Sequence, residues 1–143
     1  MDNAIEIKSF QFAIRIVKLC KHIQNTKREF TLTKQLLRSG TSIGANVAES
    51  QQAQSRPDFI AKLSIALKEA VETNYWLRLL CATEYLTEIE YLSVIADCKE
   101  LEKLLTAIIR STKFPVNSEI KSLSIVNCQL SIIPLSEVTP CLS

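Results

Sequence analysis

Apolar residues recur at three- and four-residue steps along four successive stretches of this chain, separated by short polar breaks. The first stretch starts after Asn3, whose spacing to Glu6 is that of a cap and a carboxylate that together satisfy free amide groups, and it runs to about Gln24. A second begins near Thr31 or Thr33 and reaches about Ala53, with Leu36, Leu37, Gly40, Ile43, Gly44, Val47 and Ala48 on one face. Glycine inside a helix costs about 1 kcal/mol against alanine, so Gly40 and Gly44 make sense where another helix backbone comes close.

Ser55, Pro57 and Asp58 mark the start of the third stretch, because a first turn tolerates proline and its dipole favours an acid. It extends to about Tyr85 with a stripe of Ile60, Leu63, Leu67, Ala70, Leu77 and Cys81, while Ile65, Trp76 and Leu80 project from the other side as surplus apolar surface. Thr87 and Glu90 repeat the capping spacing, and the fourth stretch carries Leu92, Leu101, Leu104, Leu105, Ile108 and Ile109 to about Arg110. So short a link forces the last two helices antiparallel. The pattern predicts an all-α, antiparallel up-down four-helix bundle with an irregular C-terminal tail.

From Pro115 the helical period stops, prolines recur at Pro134 and Pro140, and serines alternate with apolar residues in Ser122-Leu-Ser-Ile-Val126. The chain therefore divides into a bundle domain, 1–114, and an irregular or weakly ordered tail, 115–143. Leu130-Ser-Ile-Ile133 is the kind of segment that pairs at edges, so the tail is expected either to dock on a protomer or to stay poorly ordered.

Composition narrows the class. With 47% hydrophobic residues in 143 and only two glycines and four prolines, one core and little loop material are expected. The five cysteines are odd in number, with no Cys-x-x-Cys pair, and read as reduced thiols in a cytosol. Met1-Asp-Asn-Ala-Ile-Glu lacks the basic and apolar regions of a secretion signal, and no uncharged run is long enough to span a bilayer, so a soluble cytoplasmic protein is the expectation. A net charge of +2 is too mild to imply a nucleic-acid partner by itself.

Its distribution says more. Lys8, Gln11, Arg15, Lys18 and His22 form one narrow stripe on the first helix, while Ile5, Ile7, Phe10, Phe12, Ile14, Ile16, Val17, Leu19 and Ile23 fill most of the remaining circumference. That describes a nearly buried helix with one basic edge. Lys21, Lys27, Arg28, Lys34 and Arg38 carry the positive charge into the following loop and helix, against Asp2, Glu6 and Glu29. Such an edge suits phosphate backbones, which Lys and Arg bind with little demand for sequence.

Two segments, Ser42-Ile-Gly-Ala-Asn-Val-Ala-Glu-Ser50 and Ala66-Leu-Lys-Glu-Ala-Val-Glu-Thr-Asn-Tyr-Trp-Leu-Arg-Leu-Leu80, combine small residues, asparagines and an aromatic pair at fixed helical positions. They resemble the paired middle helices of a bacterial family of short four-helix bundles encoded inside intervening sequences of 23S rRNA genes. A more distant resemblance is to the accessory protein of diversity-generating retroelements. The likeness covers roughly residues 3 to 114 and departs at Gly44, where the family usually has proline. It implies a homo-oligomer, a pentamer in this family, and an association with RNA or reverse transcription.

Enzymatic constellations are missing. His22 is the one histidine, and Leu19 stands where a Glu-x-x-His di-iron motif needs glutamate. No metal site, glycine-rich phosphate loop or other cofactor motif is present. Glu69 and Glu72 share a helix face and are expected to pair with cations such as Lys62, Lys68 or Arg78, at the surface or a subunit contact. Asn74 falls on the apolar stripe and, like Asn46 of the first motif, is assigned a structural role, since a buried amide must find partners.

The leading expectation is a non-enzymatic homo-oligomer that binds RNA or DNA through Lys8, Arg15, Lys18, Lys21, Lys27, Arg28, Lys34 and Arg38, with Ile65, Trp76 and Leu80 as subunit contacts and a protein partner alongside. The alternative is a structural or protein-interaction bundle whose basic stripe serves solubility alone.

Overall fold

The structure, a computed structural model, describes residues 3–115. Four helices account for nearly all of them: α1 (Ala4–Lys27), α2 (Thr31–Ser50), α3 (Arg56–Ala82) and α4 (Glu88–Lys113). Each packs on its neighbours in sequence, α4 closes back on α1, and the backbones of the diagonal pairs stand farther apart. This is the predicted all-α bundle. The expected irregular tail lies outside the described residues.

Helix starts follow their local chemistry. Ser55 accepts a hydrogen bond from the Asp58 amide, with Pro57 in the first turn, and Thr87 and Glu90 form the reciprocal capping box. Asn3 holds the cap position of α1 through its carbonyl, which accepts from Glu6 and Ile7, but its side chain makes no cap bond. At α2 the cap position falls on Phe30, and Glu29 does the capping instead: its carboxylate accepts from the amides of Thr31, Leu32 and Thr33 at 2.8–3.0 Å.

Ile16, Ile23, Leu36, Ile43, Val47, Ala66, Ala70, Leu77, Leu80, Cys98 and Leu105 are completely buried, and they form one core along the bundle axis. The glycines of α2 are where α1 comes closest. A Cβ on Gly40 would lie 2.8 Å from Ile16 Cγ2, and one on Gly44 would lie 3.3 Å from the Ser9 carbonyl oxygen. The predicted close approach is therefore real.

Several placements differ from the sequence reading. Leu80 is wholly buried because it continues the Thr73–Leu77 face at a three-residue step, so it is unavailable to a second subunit. Ala48 and Leu92 are exposed. The first helix is less buried than its composition implies, with Ile7 47%, Phe10 67% and Ile14 41% exposed along one outer strip.

Candidate nucleic-acid interface

The basic stripe of α1 faces α4, and α4 answers it. Lys8 pairs with Glu100, Arg15 pairs with Asp97 and donates to the Ser93 hydroxyl at 2.8 Å, and His22 Nε2 lies 3.7 Å from Glu90. His22, Arg15 and Lys8 meet Glu90, Asp97 and Glu100 in reverse order, as antiparallel helices require. These α4 acids were not recognised as partners from the sequence. Their signal was available, since Glu90, Ser93, Asp97 and Glu100 repeat the three- and four-residue steps of a single face.

Arg38 is also engaged. It pairs with Glu72 and stands 3.8 Å from Glu69, binding α2 to α3 within the protomer. The expected partners differ here, because Lys62 reaches across to Glu49 at 2.7 Å instead. Three of the eight nominated cations, Lys8, Arg15 and Arg38, are thus committed to internal pairs.

The other five remain. Lys18, Lys21, Lys27, Arg28 and Lys34 are exposed and form no ion pair among the described residues. They gather around the end of α1, the α1–α2 turn and the first turns of α2. Arg28 closes α1 in the left-handed conformation at φ 55°, donating its amide to Gln24. Two acids near this end are occupied, since Glu29 caps α2 and Glu90 accepts from Thr87 and faces His22, while Glu84 and Glu88 of the α3–α4 turn are exposed and form no ion pair among the described residues. Burial pushes the Glu29 carboxyl upward, but the amides of Leu32, Thr33 and Thr31 outweigh it and hold the group below its ordinary value. Glu90 is lowered too, first by the Thr87 hydroxyl, with its backbone bond and the charges of His22 and Lys27 adding to the effect.

Asn46 donates to the Ser42 carbonyl within its own helix, while Asn74 crosses from α3 to Glu102 of α4 at 2.9 Å. Both sit half-buried. Of the apolar residues nominated for subunit contact, Ile65 is exposed, whereas Trp76 is half-buried, donates to Glu72 at 3.1 Å and meets Tyr75 edge-on at 5.0 Å. Burial raises the Cys20 and Cys98 thiols to about 12, with nearby Glu29 and Glu102 adding to it, so neither is a nucleophile near neutral pH. Among the described residues no cluster of His, Cys, Asp or Glu could hold a metal, and no helix is long and apolar enough to cross a membrane.

Fold and surface together define a small helical-bundle protein with an α1–α4 seam bridged by ion pairs and with unpaired cations at one end. The family model of the 23S rRNA-intervening sequence proteins matches residues 1–107, and the chain belongs to that family. A similar solved structure is a protein of unknown function of the S23 ribosomal protein family from Bacteroides thetaiotaomicron. It is 57% identical with a TM-score of 0.73, and the match covers 74% of this chain and 98% of that one. No curated protein matches.

Proposed function

We propose that this protein is a cytoplasmic, non-enzymatic accessory protein that assembles into a homo-oligomer, a pentamer by family likeness, and holds RNA, or DNA, on its basic ends. The observation that carries this reading is the set of five exposed cations, Lys18, Lys21, Lys27, Arg28 and Lys34, which no described acid pairs. They replace the longer stripe nominated from sequence. Assembly would repeat this cluster and sum its field.

Exposed apolar surface supports the assembly. One strip lies on α1 at Ile7, Phe10 and Ile14, and α3 exposes Ile65, Val71 and Tyr75 across its outer face, while α1 and α3 occupy opposite corners of the bundle. Two different patches on opposite corners suit a head-to-tail contact, which closes into a ring when the rotation allows.

Light scattering on a sizing column, with and without a generic structured RNA, tests both parts. Five phosphate contacts per protomer would lose on the order of 10² to 10³ in affinity between about 50 and 200 mM salt. Replacing Lys18, Lys21 and Lys34 by glutamate is expected to remove the RNA mass and leave the oligomer intact. Unchanged RNA retention overturns the site. The pairing of Lys8, Arg15 and Arg38 favours a second reading, a protein-interaction bundle, and RNA-indifferent oligomers at every salt concentration would select it.

A further inference from the structure

A groove of about 1080 Å³ runs between α3 and α4. Leu67 and Val71 line it from α3, and Ala107 and Phe114 from α4, with Val71 54% and Phe114 70% exposed. Three cations edge this apolar lining. Lys99, Lys103 and Arg110 stand at steps of four and seven residues, which gathers them into one row about 16 Å long on the α4 wall. All three are exposed, and none forms an ion pair among the described residues.

At two other seams of the bundle, cations meet acids on the helix opposite. Lys8 and Arg15 of α1 have Glu100 and Asp97 of α4, while Arg38 of α2 has Glu72 of α3 and Lys62 of α3 has Glu49 of α2. The α3–α4 seam is different. Among the described residues lining the groove the one carboxylate is Glu102, which belongs to α4 itself and accepts from Asn74 of α3. Glu69 and Glu72 of α3 lie instead on the α2 side, beside Arg38. An apolar trough thus runs along a row of cations for which α3 supplies no acid.

An occupant that matches this surface brings apolar side chains and carboxylates together. A phosphate backbone would answer the cations but would lay charge against Leu67, Val71 and Phe114, where it gains nothing and loses water. The exposed α1 strip of a second copy is also a poor match, because Ile7, Phe10 and Ile14 continue into Lys18 and Lys21, and docking it here would bring like charges together. We propose that the α3–α4 groove is the docking site for an acidic amphipathic helix of a partner protein. Its apolar face lies on Leu67, Val71, Ala107 and Phe114, and its carboxylates, one and two turns apart, meet Lys99, Lys103 and Arg110. The site is separate from the cations around the α1–α2 turn, and it leaves Ile65 and Tyr75 of α3 to the subunit contact.

Fluorescence anisotropy on the full chain tests it with a labelled synthetic helix of about four turns, carrying leucines on one face and glutamates beside them. Two twins serve as controls, one with lysine for every glutamate and one with serine for every leucine. The acidic amphipathic peptide is expected to bind at least about tenfold more tightly than either twin. Lys103→Glu/Arg110→Glu and Val71→Asp should each weaken it at least about tenfold, with circular dichroism, sizing mass and RNA retention as in the wild type. Absence of binding, equal binding of a twin, or binding that survives either variant overturns the proposal. Loss of RNA retention in the charge variant also overturns it, because the row then serves phosphates. A fall in sizing mass with Val71→Asp does the same, because a second copy then fills the groove.

Discussion

The α1–α2 seam is built from short side chains, the α1–α4 seam is bridged by long charged ones, and the α2–α3 seam has a small buried centre flanked by the Arg38–Glu72 and Lys62–Glu49 pairs. At α1–α2, Gly40 and Gly44 admit Ile16 and the Ser9 backbone. At α2–α3, Ser39 and Thr73 are both buried, and the Thr73 hydroxyl lies 3.0 Å from that of Ser39. At α1–α4, Lys8 and Arg15 bridge to Glu100 and Asp97 over a cavity of about 210 Å³ whose walls include those four residues. The contrast teaches how one bundle divides its tasks. Close contact of small residues admits only one register, whereas flexible ion pairs tolerate separation and water and leave the closure of the ring adjustable.

The sharpest way to break the contrast is to place bulk in the close seam. Gly40→Val puts its Cβ 2.8 Å from Ile16, a β-branched side chain that is itself completely buried, so neither partner can move aside cheaply. A loss of about 3 kcal/mol, the upper end of ordinary overpacking, is expected in urea unfolding. A loss below about 1 kcal/mol would show that α1 and α2 are not locked there.

Next in size is the α1–α2 corner. Glu29→Ala removes the acceptor shared by three amides of α2 and should cost about 1 kcal/mol, as a lost cap does. The sign with pH follows from linkage. The folded Glu29 carboxyl titrates below its ordinary value of 4.5, so its contribution is complete above that value and is lost as pH falls through the lowered one. Urea midpoints of wild type and variant should therefore differ at pH 7 and converge at acid pH. A constant gap across the range would assign the effect to lost packing instead.

How much of this was legible depends on what the sequence can mark locally. Starts of α3 and α4 were legible because their caps lie within three residues of one another, and both Thr87–Glu90 bonds form. Helix ends were harder to read. Arg28 at φ 55° and Glu84 at φ 65° take the left-handed positions that glycine usually announces, and the chain spends its two glycines inside α2. The burial of Leu80 and the exposure of Leu92 turn on helical phase, which composition does not fix. The basic stripe was read correctly as a stripe, but its purpose lay some eighty residues away on α4, in acids that only the antiparallel packing brings opposite it.

That stripe gives the smallest expected effect and the most discriminating one. Lys8 and Arg15 are about two-fifths exposed, as are their partners or more, so each pair should contribute less than about 1 kcal/mol. Replacing either one by glutamine is expected to lower stability by only a few tenths of a kcal/mol, and the difference from wild type should shrink as salt screens the pair. If these cations serve the α1–α4 seam and not a phosphate backbone, RNA retention should stay within about twofold of wild type at low salt. Raising salt would then weaken RNA binding in both proteins alike, because the phosphate-facing charges lie elsewhere. A variant that keeps its stability but loses RNA would reverse the assignment, making the ladder a resting arrangement that nucleic acid opens.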